Sequence, residues 1–125
     1  MLIELERQDD VCVLRLRGRF VTGTNLNYLR DKTDEVKSQN CKKVLADLRE
    51  LLSIGSTGIG LLVDIYTSVT KNASGRFVLV GPQPHVREVF ELTHLDSVIP
   101  LVTDIASGLA VLRDEGTAAR GPVKG

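Results

Sequence analysis

Hydrophobic and polar residues alternate through the opening positions of the chain, a pattern typical of β-strands. Residues 2–6 alternate, with Ile3 and Leu5 set off by Glu4 and Glu6. The polar run "RQDD" interrupts them, and Cys12, Leu14 and Leu16 then share one face of a second alternating segment. Gly18 follows this segment and marks its end. The pattern therefore predicts a β-hairpin at the start of the chain.

Beyond the hairpin, the period of the apolar residues changes, and helical segments alternate with short apolar runs. Four helices are predicted, with inward positions at Leu26, Leu29, Thr33 and Val36, at Ile59, Leu62, Val63 and Tyr66, at Val86, Val89 and Phe90, and at Ile105, Leu109 and Leu112. The apolar runs predict strands at residues 43–48, 77–81 and 97–102. Helix ends are expected at Thr24 or Asn25, Asn40, Ser56, Asn72 and Thr103.

The order of elements, ββαβαβαβα, predicts one α/β domain with four helices. Strands that alternate with helices form a mostly parallel sheet with right-handed crossovers, and the opening hairpin adds an antiparallel edge. Residues 1–115 are expected to form this domain, and residues 116–125, which lack apolar periodicity, a disordered tail. Functional loops lie at the carboxyl ends of such strands, so residues 21–25, 51–58 and 81–84 are predicted to meet at one end.

The charge balance argues against nucleic acid or a membrane as a partner. Sixteen basic and sixteen acidic residues cancel over 125 residues, so no net field attracts a polyanion. Arg15, Arg17 and Arg19 alternate on a predicted strand and are interpreted as its solvated face. The N-terminal residues lack the apolar core of a signal peptide, and no segment reaches the length of a membrane span, which indicates a cytoplasmic protein.

Cys12 and Cys41 are the two cysteines of the chain. Cys12 lies in an apolar strand, and Cys41 is followed by two lysines, with neither a CxxC spacing nor a neighbouring histidine. This pattern predicts two reduced thiols, with neither a zinc site nor a redox pair. No metal and no cofactor is predicted elsewhere in the sequence.

Two adjacent hydroxyls, Ser56 and Thr57, stand between glycines where two apolar segments join, in "SIGSTGIGLL". A nucleophile would need a base, and His85 could approach, but the Gly-x-Ser-x-Gly elbow is absent. A phosphate cradle would need a lysine before the hydroxyl, and none is present. In a third interpretation a hydroxyl is itself phosphorylated, because a phosphate at a helix start meets unpaired N–H groups and the positive end of the helix dipole.

These residues also carry a resemblance to a known family. The stretch "VLADLRELLSIGSTGIGLLVDIY" resembles the signature region of STAS domains, the family of bacterial anti-sigma factor antagonists, in which a strand, Asp-Leu, a short loop, Asp-Ser-Ser/Thr-Gly and an apolar helix follow one another. "LRLRGRF" resembles the family's second strand with its Gly-Glu-Leu/Phe step. "FVLVGPQPHVREVFELTHLDSVIPLVTD" resembles its later strand, helix and final strand. The resemblance covers residues 2–113 and implies the STAS fold.

The resemblance implies a protein that binds an anti-sigma factor, itself a serine/threonine kinase, and so releases a sigma factor in bacterial partner switching. Phosphorylation would end this binding and a phosphatase would restore it, so that the chain would be a kinase substrate and not an enzyme. The phosphorylated residue of the family falls on Thr57, with Ser56 at the preceding hydroxyl position. The family's acidic residue before the hydroxyls is Gly55 here, and a second acidic position is Val21.

Docking residues are expected around these hydroxyls. The predicted surface comprises two loops and the start of the following helix, namely Thr22, Gly23, Asn25, Ser53, Ile54, Gly55, Ser56 and Gly58. Ile54 is either an exposed docking anchor or a plug for the top of the sheet. Because Gly55 and Val21 remove both carboxylates, a scaffold that uses this surface without phosphorylation stays open as an alternative function. A flavodoxin-like enzyme or nucleotide-binding domain is a third.

Overall fold

The computed structural model describes residues 2–20, 26–71 and 75–113, which form six strands and four α-helices. The strands are β1 (Leu2–Gln8), β2 (Val11–Phe20), β3 (Lys43–Asp47), β4 (Leu51–Ile54), β5 (Arg76–Val80) and β6 (Leu101–Val102). The helices are α1 (Leu26–Ser38), α2 (Ser56–Thr70), α3 (Pro84–Leu92) and α4 (Ile105–Arg113), with a 3-10 turn at Leu95–Ser97. Within these ranges, no helix has the length and apolar character needed to cross a membrane.

All six strands belong to one mixed sheet with the spatial order β1-β2-β3-β5-β6, in which β4 also pairs with β2. β1 and β2 form the antiparallel hairpin, whose turn contains Asp9 in the left-handed region at φ 56°. In the remaining described pairs the two strands are parallel, and at least one helix lies between the paired strands along the chain. The predicted α/β fold, with a mostly parallel sheet, an antiparallel edge hairpin and four helices, is confirmed.

Leu51–Ile54 forms a strand where a loop was expected. This strand, β4, pairs with the far end of β2 beyond a register shift at Gly18 and Arg19. Gly18 has a φ of 90°, which glycine adopts without strain, and its N–H donates to the carbonyl oxygen of Glu50 at 3.0 Å. The irregularity lets β2 pair first with β3 and then with β4.

Helices cover both faces of the sheet and create two apolar cores. The larger core lies under α1, α2 and α3, and its fully buried members include Leu14, Leu16, Phe20, Leu51, Leu62 and Phe90. The smaller core lies under α4 and consists of Val11, Val13, Leu45, Val78, Val80 and Leu112. Successive residues of β3 alternate between the two cores, so this strand is buried on both faces as predicted.

Side chains near α1 cover the outer edge of β1, which has β2 as its neighbour in the sheet. The N–H of Ile3 donates to the phenol oxygen of Tyr28 on α1 at 2.9 Å. The Nη1 of Arg7 donates to the carbonyl oxygen of Gln39, just after α1, at 3.0 Å. The N–H of Ile3 and the side chain of Arg7, both on β1, are therefore hydrogen-bonded within the chain.

Some predicted helix faces and one strand are wrong. Leu26 and Val63, assigned to inward positions, are 60% and 40% exposed. In α2, Leu62 is buried as predicted and Ile59 and Tyr66 pack against the larger core. The other buried residues of this helix are Gly58, Leu61, Ile65 and Val69. The strand predicted at residues 97–102 is limited to Leu101–Val102, because the 3-10 turn takes its first residue.

Two predicted N-caps are also wrong. Gly55 takes the N-cap position of α2, so Ser56 is the first helical residue. The cap of α4 is Asp104 and not Thr103, because Oδ1 of Asp104 accepts a hydrogen bond from the N–H of Ser107 at 2.7 Å. The remaining predictions outside the described residues concern Thr24, Asn25, Asn72 and the tail 116–125.

Cys12 and Cys41 are joined by a disulfide, so the prediction of two reduced thiols is wrong for this structure. Cys12 lies on β2 and Cys41 shortly precedes β3, with their Cα atoms 6.1 Å apart. Both residues belong to the larger core. Their separation of 29 residues along the chain gives no sign of this proximity, which arises from the pairing of β2 with β3.

Candidate functional site

The carboxyl ends of β2 and β4 lie side by side and lead to the two hydroxyls. Phe20 and Ile54, the last residues of these strands, are paired, and the N–H of Gly55 donates to the carbonyl oxygen of Phe20 at 2.7 Å. The chain therefore enters α2 next to the point where β2 ends. The predicted loop between β2 and α1, with Val21 and the docking candidates Thr22, Gly23 and Asn25, lies outside the described residues.

The loop after β5 and the start of α3 pack against β4. Gln83 Nε2 donates to the carbonyl oxygen of Arg49 at 3.3 Å, and His85 Nε2 donates to the carbonyl oxygen of Leu52. Gly81 makes the turn with a φ of 66°. Two of the three loops expected to meet, residues 51–58 and 81–84, thus come together. The imidazole is engaged by the backbone of β4 and does not form a hydrogen bond with the hydroxyls of α2 in the described part of the chain.

Helix α2 begins at the two hydroxyls. Its N-cap, Gly55, has φ −121° and ψ −164°, and no side chain caps the helix. Ser56 is exposed and Thr57 is half-buried. Among the described residues, neither hydroxyl forms a hydrogen bond. Both oxygens therefore remain available for chemistry or for contact with another molecule.

The two hydroxyls lie at a helix start whose positive partial charge is not compensated by an acidic side chain in the first turn. The first N–H groups of an α-helix have no partner within the helix and carry its positive partial charge. α2 is 15 residues long and has no acidic residue in its first turn. Gly55, at the position that the resemblance assigns to a carboxylate, adds no negative charge to this end.

Ile54 and Gly58 hold α2 against the sheet. A Cβ at Gly58 would lie 2.6 Å from Ile54 Cγ1 and 3.0 Å from Phe20 Cβ, so the helix approaches the strands as closely as it does because this residue is glycine. Ile54 is 7% exposed and belongs to the larger core. Of the two interpretations of Ile54, the burial therefore favours the one in which its side chain closes the top of the sheet. Ser53 beside it is half-buried. The exposed apolar residue of β4 is Leu52, which was not among the predicted docking residues.

A groove of about 260 Å³ opens between the first halves of α1 and α2 and reaches Thr57. Its walls carry Leu26, Arg30 and Asp34 from α1 and Thr57, Gly60 and Asp64 from α2. The groove was not predicted, because Leu26 was assigned to the core face of its helix. One signal was available in the sequence, a glycine in the interior of a predicted helix.

Asp47 anchors the turn from β3 to β4 below the site. Its carboxylate accepts hydrogen bonds from Nε and Nη2 of Arg49, both at 2.9 Å, and lies 3.4 Å from Nε of Arg15. Burial raises the pKa of Asp47, but the hydrogen bonds from Arg49 outweigh it and hold the pKa below its usual value. Arg15 also pairs with Glu6 at 3.0 Å, so this part of the arginine stripe is neutralised.

Comparison with known proteins supports the fold. A family model described as the STAS domain matches residues 3–108. A Thermotoga neapolitana homologue of TM1081, named as a candidate anti-sigma factor antagonist, is 33% identical over 76 residues, 61% of this chain and 66% of that protein. The crystal structure of an anti-sigma factor antagonist from Mycobacterium paratuberculosis is 26% identical with a TM-score of 0.79, over 90% of this chain and 94% of that chain. The phosphorylated form of the Bacillus cell fate determinant SpoIIAA, 24% identical, shares the fold with a TM-score of 0.64 over 90% of this chain and 98% of that chain.

Proposed function

Because the chain belongs to the STAS domain family, and its relatives are named as anti-sigma factor antagonists, we propose that it binds an anti-sigma factor that is also a serine/threonine kinase. The kinase phosphorylates Thr57 and thereby ends the binding, and a phosphatase restores it. The chain is the substrate in this cycle, which runs in the bacterial cytoplasm. Ser56, the more exposed hydroxyl, is the alternate acceptor.

The observation that supports this proposal most is the position of Thr57 in the first turn of α2. Its side chain lines an open groove and forms no hydrogen bond within the described residues, so phosphorylation breaks no hydrogen bond there. The helix start next to it lacks a carboxylate and stabilises added negative charge. A phosphate brings about −1.5 to −2 charges at neutral pH, and this change acts on the partner through repulsion.

The test is to incubate the chain with ATP and each anti-sigma factor kinase of its host, followed by intact-mass measurement and phosphosite mapping. We expect one phosphate on Thr57, which is lost in Thr57→Ala and kept in the matched control Ser56→Ala. In calorimetric titrations, Thr57→Glu should weaken binding to the same kinase. Thr57→Ala should bind normally but resist inactivation by ATP.

Gly55 favours a second candidate, a STAS interaction module that uses the same surface without phosphorylation, because the acidic residue of the family is missing beside the acceptor. This candidate predicts stable binding that ATP does not reverse. A chain that binds an anti-sigma factor but receives no phosphate from any host kinase would overturn the switch and leave this second function.

A further inference from the structure

Gly60 has no steric role in the fold of α2. A Cβ built at this exposed position meets no atom within 4 Å, whereas a Cβ at Gly58 would collide with the core. Glycine in a helix interior is less favourable than alanine by about 1 kcal/mol. A residue that lowers helix stability without any packing reason points to a need for backbone access at that position.

Gly60 stands in the wall of the groove between α1 and α2. Thr57 and Asp64 lie three residues before it and four after it, so the three residues share one face of α2. Leu61 lies at the bottom of the groove, and Leu26, which is 60% exposed, forms the opposite wall. The absent side chain therefore opens a channel that leads to the candidate phosphorylation site.

The two helices that form the groove run in the same direction, because both pack on the same face of the sheet and each lies between two strands of the same direction, α1 between β2 and β3 and α2 between β4 and β5. Lys37 Nζ and Asp64 Oδ1 form an ion pair of 3.1 Å between them. Arg30 and Thr57 each stand seven residues before one member of this pair. Arg30 and Thr57 therefore stand at corresponding positions on the two helices, and both line the groove.

We propose that the groove seats a helix of the anti-sigma factor, whose backbone approaches Gly60 and whose apolar side chain covers Leu61 beside Leu26. This inference rests on the proposed function and names the part of the site that the partner occupies. Closely packed helices lie about 8–10 Å apart, depending on the side chains at the contact, so a glycine in the wall brings the partner's backbone nearer.

The dimensions of the groove favour a helix as its occupant. The lining residues span 57–64 on α2 and 26–34 on α1, a length of about 10–12 Å at 1.5 Å per residue, or roughly two helical turns. Its volume of about 260 Å³ lies below the range of roughly 300–1,000 Å³ for small-molecule sites. An open channel of this length accommodates a helical segment with one apolar anchor.

The charges around the groove specify the chemistry of that segment. Neither α1 nor α2 has an acidic residue in its first turn, and Arg30 forms no ion pair within the described residues. Asp34 lies one turn further along α1, and Asp64 is paired with Lys37, so Arg30 is the groove cation without an ion-pair partner among the described residues. The partner helix presents a carboxylate to Arg30. Phosphorylation of Thr57 puts negative charge in the same groove, where it competes with this carboxylate for Arg30.

The experiment measures binding of the unphosphorylated full chain to each anti-sigma factor kinase of the host, with Gly60→Ala, Gly60→Leu and Arg30→Glu as variants. Thr67→Leu is the matched control, since Thr67 is an exposed residue of α2 outside the groove. Gly60→Leu and Arg30→Glu should each weaken binding about tenfold or more, and Thr67→Leu less than about twofold. Gly60→Ala should bind more weakly than wild type while it unfolds at a higher urea concentration, a combination that a purely structural role does not produce.

The two proposals fail in distinguishable ways. If Gly60→Leu and Gly60→Ala bind like wild type while Thr57→Glu does not bind, the groove is not the docking site and the phosphorylation switch stands. If the wild-type chain binds no anti-sigma factor, both proposals are wrong. If the wild-type chain self-associates in sedimentation experiments and Gly60→Leu is monomeric, a second copy of the chain occupies the groove and the inference is overturned.

Discussion

Replacing Gly58 and Gly60 by alanine, one at a time, should shift the free energy of unfolding in opposite directions. The two glycines stand in the same helix, two residues apart, and gain the same helix propensity of about 1 kcal/mol from the added methyl group. At Gly60 nothing lies within 4 Å of the new Cβ, so this gain is not offset. Gly60→Ala should therefore stabilise the chain by about 0.5–1 kcal/mol.

At Gly58 the packing term is larger than the gain in propensity. The new Cβ would lie 2.6 Å from Cγ1 and 3.0 Å from Cδ1 of Ile54, and 3.0 Å from Cβ of Phe20. Phe20 Cβ is fixed by the backbone of β2 and cannot move aside, so α2 must shift away from the sheet. Overpacking of a core costs about 1–3 kcal/mol. Gly58→Ala should therefore lower the free energy of unfolding by up to about 2 kcal/mol after the gain in propensity.

Urea unfolding followed by far-UV circular dichroism measures both effects, with wild type and the two variants in one buffer of constant redox state. The slope m should stay constant, so that shifts in the midpoint report stability. A Gly58→Ala variant as stable as Gly60→Ala would refute the steric reasoning about the contact of α2 with the sheet. A Gly60→Ala variant less stable than wild type would show that this glycine serves the fold, and would remove the premise of the docking groove.

Two further predictions concern the pH and redox dependence of stability. Because the pKa of Asp47 is lowered, its charge stabilises the fold above pH of about 4, and this stabilisation is lost as the pH falls through the folded-state pKa. Asp47→Asn should be less stable than wild type by about 1 kcal/mol at pH 7, a modest loss because its partner Arg49 is exposed and screened by solvent. The urea midpoints of the two proteins should converge in acid. A difference in midpoint that stays constant with pH would contradict this reasoning. Reduction of the Cys12–Cys41 disulfide, which spans 29 residues, should lower the free energy of unfolding by about 3–4 kcal/mol. The urea midpoint of Cys41→Ser should be the same with and without dithiothreitol. A wild-type urea midpoint that does not change with dithiothreitol would show that no disulfide forms.

The hairpin and the parallel strands could be predicted because their signals are local. Alternation over residues 2–16 and the continuous apolar run of β3 are read from neighbouring positions in the sequence. The strand β4 could not be predicted, because its pairing depends on a register shift at Gly18 in a distant segment. The disulfide was missed for the same reason, since its partners meet through strand pairing and not through their spacing.

Part of the candidate site could likewise be predicted from the sequence, and part of it could not. Thr57 at a helix start could be predicted, because a glycine-flanked hydroxyl pair between an apolar run and a helical period is a local pattern. The groove could not, because it depends on how closely α1 and α2, which belong to separate crossovers, lie beside each other. Leu26 stands at the correct period for the core and is nevertheless exposed, since period alone does not say where the neighbouring helix lies.

The hydrogen bond between Ile3 and Tyr28 bears on the behaviour of this chain at high concentration. An edge strand with free N–H and C=O groups is a template on which a second molecule can extend the sheet, and this is a common start of aggregation. Tyr28 occupies the N–H of Ile3 that an incoming strand would need, and Glu4, Glu6 and Arg7 place charges along the same strand. A second copy of the chain is thus discouraged from extending the sheet at the β1 edge.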